Sequence, residues 1–199
     1  MKDKRIGQVT YCSNNYGSML QCYATQKMLA LHGFSCDLIE ITNRPFVRIA
    51  FAGIRQLKLM GKYASNPKSM KALRRLVIDA KARGGGALTE RCRKAMEQFR
   101  EKNISVIRAS TSQMKHASNT DQFIGFFSGS DQIWSASWPI PSELYFLRFA
   151  PKDKRIAFAP SFGTDRIPSY NKKTFRKYIA DYSVLSIREE SGRDVIKEL

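Results

Sequence analysis

The first forty residues constrain the fold most. Residues 5–11 (R-I-G-Q-V-T-Y) are short, partly β-branched and aromatic, which predicts a strand. Residues 18–32 carry Met19, Leu20, Tyr23, Ala24, Met28 and Leu31 at helical intervals, and Gly33 follows where a helix C-terminal glycine belongs. Residues 35–42 (S-C-D-L-I-E-I-T) predict a second strand. Strand, loop, helix, glycine, strand is a βαβ unit, and it commits the chain to a parallel sheet with a right-handed crossover.

The rest of the chain extends that α/β pattern. Alternation at residues 122–127 (Q-F-I-G-F-F) predicts a strand, W-P-I-P a stiff loop, residues 155–163 (R-I-A-F-A-P-S-F-G) another strand, and residues 182–187 a further one. Residues 69–81, 89–102, 172–179 and 189–199 read as helices, with Gly84-Gly85-Gly86 separating the first two. At 199 residues and 43% hydrophobic the chain can bury a core of its own. No window approaches a membrane span and no signal-peptide core follows Met1, so the expected location is the cytoplasm. The last predicted helix stops without a cap, which suggests a chain cut at a domain boundary or an incomplete reading frame.

Charge is unevenly distributed. Lys and Arg number 34 against 17 Asp and Glu, a net +17, and residues 44–115 hold 18 basic and 4 acidic residues. An excess so localised describes a surface, and three readings compete for it. Clustered cations fit nucleic-acid phosphates, but no nucleic-acid motif accompanies them and the informative motifs lie outside the stretch. Basic helices with apolar faces, such as residues 69–81, fit peripheral contact with an anionic membrane. The third reading is a solvated face.

Four loops stand where a parallel sheet presents its ligand site, at the carboxyl ends of strands: residues 13–18, 128–132, 161–165 and 188–191. Gly17, Gly129 and Gly163 would let backbone approach a ligand or take positive φ, and the helix start near Ser18 offers N–H groups to an anion. Each polar residue also has a plain structural role open to it. Asn14 or Asn15 would cap the helix, Tyr16 would pack over the sheet edge, Asp131 would cap a turn at Gln132, and Arg188 would pair with Glu189. Cys12, Cys22, Cys36 and Cys92 match neither a zinc pair nor a C-x-x-C motif, and read as small buried hydrophobes.

Taken together and in order, N-N-Y-G-S-M-L-Q-C-Y-A-T-Q, G-S-D-Q-I-W, Y-F-L-R-F-A-P-K-D-K-R-I-A-F-A-P-S-F-G and S-I-R-E-E-S-G resemble the polysaccharide pyruvyl transferase family. The resemblance covers the N-terminal half of a usual member and is weakest in the basic middle. It implies an α/β, Rossmann-like parallel sheet with helices on both faces, similar to the N-terminal domain of a GT-B-type transferase. On that reading residues 1–187 form the domain, residues 44–115 a basic helical elaboration, and residues 188–199 the start of a connection to a C-terminal domain.

The family moves a pyruvyl group from phosphoenolpyruvate to two hydroxyls of one sugar, leaving a ketal on a cell-surface polysaccharide. The resemblance therefore implies phosphoenolpyruvate as donor substrate, a glycan or lipid-linked sugar as acceptor, no other cofactor and no metal. Such chemistry needs cations for phosphate and carboxylate, a base for the hydroxyls and an acid for the methylene carbon. Arg188 is the expected anion clamp and Asp131 the expected hydroxyl base. Asn14, Asn15, Tyr16, Gly17, Gln21, Ser130, Gln132 and Ser161 are the expected substrate-binding residues. His32 and His116 lie in no family motif, so the acid is expected in the C-terminal half and this chain alone is expected to be inactive. Thr25 and Ser135 depart from the usual family residues, and Ser135 bears on the acceptor side. A glycan-binding homologue without chemistry, or a basic nucleic-acid-binding domain, is the alternative.

Overall fold

The computed structural model describes residues 4–12, 15–43, 61, 89–136 and 140–199. The helix expected at residues 69–81, the triple glycine, and Asn14 lie outside the described residues. Strand β1 (Arg5–Val9) leads to α1 (Tyr16–Leu31) and β2 (Ser35–Ile41). Later come α2 (Glu90–Asn103), β3 (Val106–Ala109), α3 (Thr111–Ser118), β4 (Gly125–Ser128), β5 (Arg155–Ala157), α4 (Ser169–Ile179), β6 (Val184–Leu185) and α5 (Glu190–Lys197).

These strands form one parallel sheet in the order β3-β2-β1-β4-β5-β6. The expected Rossmann-like parallel architecture is what the chain adopts. Winding starts at β1, runs outward through β2 to β3, and resumes on the opposite side of β1 with β4. The carboxyl ends of β1 and β4 therefore flank the point where the winding reverses, the place such sheets keep for ligands.

Side-chain alternation divides the core in two. On one face α1 and α2 cover Leu38 with Met19, Cys22, Met96 and Ile104, and Ile6, Cys36 and Phe127 adjoin them. On the other, α3 contributes Met114 to Val9, Ile39, Phe123, Phe126 and Phe149. Trp134, Phe146, Phe162, Phe175 and Val195 form a further cluster with Ala157 of β5, which joins α4 and α5 to the sheet. Cys12 belongs with the first group, so three of the four thiols gather there while most of the rings gather in the other clusters. Gly7 has no side chain because the Phe126 ring occupies its place, 2.3 Å from where a Cβ would stand.

Boundaries moved where local chemistry outweighed pattern. Helix α1 begins at Tyr16, two residues before the expected start, because the Asn15 carboxamide accepts from the Ser18 N–H at 3.1 Å and caps it there. The strand expected over residues 155–163 ends at Ala157. Ala159 takes φ +49° and Pro160 has no N–H to donate, so the chain leaves the sheet. Residues 89–115, expected as part of a helical elaboration, instead supply α2, the edge strand β3 and most of α3. Gln26 fastens that edge: its Oε1 and Nε2 exchange 3.0 Å hydrogen bonds with the N–H and carbonyl of Ser105. Residues 188–199 pack on this core through Val195, which is 2% exposed. Among the described residues no helix is long and apolar enough to cross a membrane.

A buried charge cluster ties the amino end of β5 to the loop after α4. Arg155 is 5% exposed; its guanidinium donates to the Ala150 carbonyl and to Asp181, 3.4 Å away. Asp181 also receives Arg148, and Lys152 at 2.7 Å. Hydrogen bonds from Lys152 and Arg148 hold its carboxyl down at about 2.

Candidate functional site

The site assembles around the carboxyl ends of β1 and β4. Beyond β4 the chain passes Gly129 at φ +131°, where a Cβ would lie 1.9 Å from the Phe158 carbonyl oxygen. Only glycine fits there. The Gly129 N–H donates to the Val9 carbonyl at 3.2 Å, which pulls the β4 loop against the end of β1. Ser130 and Asp131 then face the first turns of α1.

Two hydrogen bonds close that gap. The Ser18 hydroxyl donates to Asp131 Oδ2 at 2.6 Å, and the Gln21 carboxamide donates to the Ser130 carbonyl. Asp131 Oδ1 accepts from the Gln132 N–H at 2.7 Å and caps the short turn Gln132–Trp134. The carboxylate is thus oriented by one contact on each oxygen, with further lone pairs left for a hydroxyl ligand.

The loops after β5 and β6 are laced to the same residues. Ser161 N–H donates to the Asp131 carbonyl at 3.0 Å, Arg188 N–H to the Pro160 carbonyl at 3.3 Å, and Phe162 N–H to Glu189 Oε1 at 3.1 Å. Gly163 takes φ +63° beside the Gln132 carboxamide. Arg188 is partly exposed, with Nε 3.6 Å from Glu189 Oε2.

Beside this crevice opens a pocket of about 300 Å³, lined by Thr10, Tyr11 and Cys12 after β1, the end of β2 from Leu38 to Thr42, and Leu144 and Tyr145. Its size is at the lower end of small-molecule sites, roughly 300–1,000 Å³. The Tyr11 and Tyr145 rings lie 6.1 Å apart, tilted by 35°. Burial, then the neighbouring Tyr11, then the charge of Asp131 push the Tyr145 hydroxyl up and keep it a neutral donor. Val9, in the wall of that pocket, carries the carbonyl that accepts from the Gly129 N–H, so the pocket opens beside the loop that bears Asp131. Glu40, also in the wall, is held by Arg100 and by Arg108 at 3.1 Å.

The sequence model of the polysaccharide pyruvyl transferase family matches residues 15–199. The chain belongs to that family. Comparisons with curated proteins and with solved structures return no match.

In this pyruvyl transferase family member the structure brings together Asn15, Gln21, Ser130, Asp131, Gln132 and Ser161 of the expected residues. Several do structural work as well. Asn15 caps α1, and the Ser161 hydroxyl, on a residue 2% exposed, accepts from the Gly163 N–H at 3.0 Å. Tyr16 opens α1 and is 49% exposed, and Cys92, at the start of α2, pushes its hydroxyl up. Gly17 lies within the first turn of α1 and does not take positive φ, one of the two roles open to it. A Cβ there would stand 3.2 Å from the Asn15 Oδ1, so glycine keeps the cap undisturbed. Ser18, Tyr11 and Tyr145 were missed as site residues. The signal for Ser18 was its place three residues after a capping asparagine.

Proposed function

We propose that this chain is the acceptor-binding, N-terminal half of a GT-B-like transferase that moves a pyruvyl group from phosphoenolpyruvate to a sugar of a cell-surface polysaccharide. The observation that carries the reading is the Asp131 carboxylate, fixed by Ser18 across the point where the sheet reverses and adjoining a tyrosine-walled pocket. Family membership supplies the reaction class.

In the proposed reaction a proton adds to the methylene carbon of phosphoenolpyruvate, creating an oxocarbenium-like centre at the carbon bearing phosphate. A sugar hydroxyl attacks that carbon while Asp131 takes its proton. The bond to phosphate breaks with the electron pair leaving on oxygen, and a second hydroxyl closes the ketal. Ser18 and the Gln132 N–H aim the carboxylate, so no reorientation is needed during attack. Arg188 exchanges its loose contact with Glu189 for the phosphate or carboxylate of the donor. The methylene acid comes from a C-terminal half, and Met1–Leu199 alone does not turn over. The work is done at the cytoplasmic side, where lipid-linked glycan intermediates meet the membrane.

One observation also fits glycan binding without chemistry: both Asp131 oxygens already accept hydrogen bonds. Titrating the chain with a panel of glycans, while following phosphate release from phosphoenolpyruvate by this chain and by a longer form carrying a C-terminal half, separates the readings. Release by the longer form alone supports transfer, and glycan binding with release by neither supports binding without chemistry. For this chain, binding that falls at least tenfold in Asp131→Asn, without phosphate release, is expected. No glycan binding would sink the acceptor role, and phosphate release by this chain alone would sink the divided site.

A further inference from the structure

One thiol in the pocket wall, with a second thiol buried behind it, is not used by the proposed transfer. Cys12 lines the pocket and is 7% exposed; Cys22, fully buried on α1, packs in the same cluster. Their environments are unequal. Cys22 is held among sulfur and amide groups, with its Sγ 3.4 Å from Gln8 Oε1, while Cys36 approaches the same oxygen at 3.9 Å. Cys12 instead meets the open volume of the pocket.

We propose that Cys12 and Cys22 form a dithiol modification site that takes small organic disulfides through the pocket and closes to an intramolecular bridge. In the first step the Cys12 thiolate attacks one sulfur of the small disulfide. A new S–S bond forms, the old one breaks, and a small thiolate leaves with the electron pair. In the second step Cys22 attacks the Cys12 sulfur and its proton passes to the departing thiolate, which leaves as the second small thiol. The two protein thiols are oxidised and the disulfide is reduced to two thiols, which closes the electron balance.

The electrostatics suit those roles. The thiol of Cys22, first, and the Arg100 guanidinium bring the Cys12 thiol down to about 7, against opposing contributions from burial and Glu40. Its neighbour is pushed the other way, by the contact with Cys12, by burial and by the charges of Cys12 and Cys36, with Arg100 opposing. Cys36 is pushed up to about 12 by burial and by Asp37. One thiol is therefore the ready nucleophile and its partner the protonated donor that becomes nucleophilic only after the first exchange.

The test uses the whole chain carrying Cys92→Ser, exposed to oxidised glutathione and mapped by non-reducing digestion and mass spectrometry. A Cys12–Cys22 linked peptide pair is expected, lighter by two hydrogens, reversed by dithiothreitol, and formed faster as pH rises through about 7. Adding Cys22→Ala should stop the reaction at a single glutathione adduct on Cys12. Cys12 remaining reduced, an adduct on Cys12 that never gives way to the bridge when Cys22 is present, or linkage of Cys12 to Cys36 instead would each overturn the proposal. Because the linked peptide is read in protein that retains Cys22, the result stands even if the alanine variant fails to fold.

Discussion

Gly129→Ala is the most severe single change the site should meet. At φ +131°, with the Phe158 carbonyl oxygen 1.9 Å from the new carbon, the β4 loop must move. The expected loss is on the order of 3 kcal/mol or more, read as a fall in Tm, with glycan binding lost in whatever protein still folds. Asp181→Asn acts by a different mechanism. It removes the charge opposite Arg155, which is 5% exposed, and should cost about 3–5 kcal/mol in denaturant titration. Since Lys152 and Arg148 bring the Asp181 carboxyl from 3.8 to about 2, its contribution is complete above the ordinary carboxylate range and is lost as pH falls from about 4 towards 2. Acid unfolding should therefore be less steep over that interval in Asp181→Asn than in the parent. Asp131 was legible in G-S-D-Q-I-W because a motif is local. Ser18 as its partner was not, because the two lie 113 residues apart and meet only once the sheet has formed.

At the scale of elements, the cap of α1 can be separated from any ligand role of the same side chain. Asn15→Ala should destabilise by about 1 kcal/mol, whereas Asn15→Asp keeps an oxygen at Oδ1 and should preserve Tm. If glycan affinity falls in the aspartate variant while Tm holds, Asn15 touches the ligand as well as the helix. The βαβ unit was readable because its strands are short and partly β-branched and Gly33, φ +78°, follows its helix. Strand β3 was not, since its four residues V-I-R-A sit in a run dominated by lysine and arginine, and only pairing with β2 makes them a strand. The edge depends on Gln26, whose carboxamide behaves towards Ser105 as a neighbouring peptide group would. No periodicity marks a glutamine for that task. Strand β5 was overextended for the opposite reason: apolar residues continue past Ala157, but the backbone of Ala159 and Pro160 turns them towards the site.

For the molecule as a whole, stability in the β4–β6 half rests on rings around Phe146. That side chain is 1% exposed, stacks on Trp134 at 4.8 Å and meets Phe175 edge-on at 5.4 Å. Phe146→Ala should cost about 3–5 kcal/mol by equilibrium unfolding. The fold class was legible because a parallel sheet follows from one crossover unit and the family motifs. The site was only partly so, since its residues come from loops after β1, β4, β5 and β6.

The separation of sulfur from aromatic groups gives the protein two independent clocks. With Trp138→Phe, fluorescence would report Trp134, and so the release of the ring-rich clusters. The rate at which Cys22 and Cys36 become open to an alkylating reagent would report the opposite side of the sheet, beneath α1. If the chain comes apart in one step, both signals must run at one rate at every denaturant concentration. If α1 lifts before the rings part, the thiols will be labelled while the tryptophan signal is still unchanged.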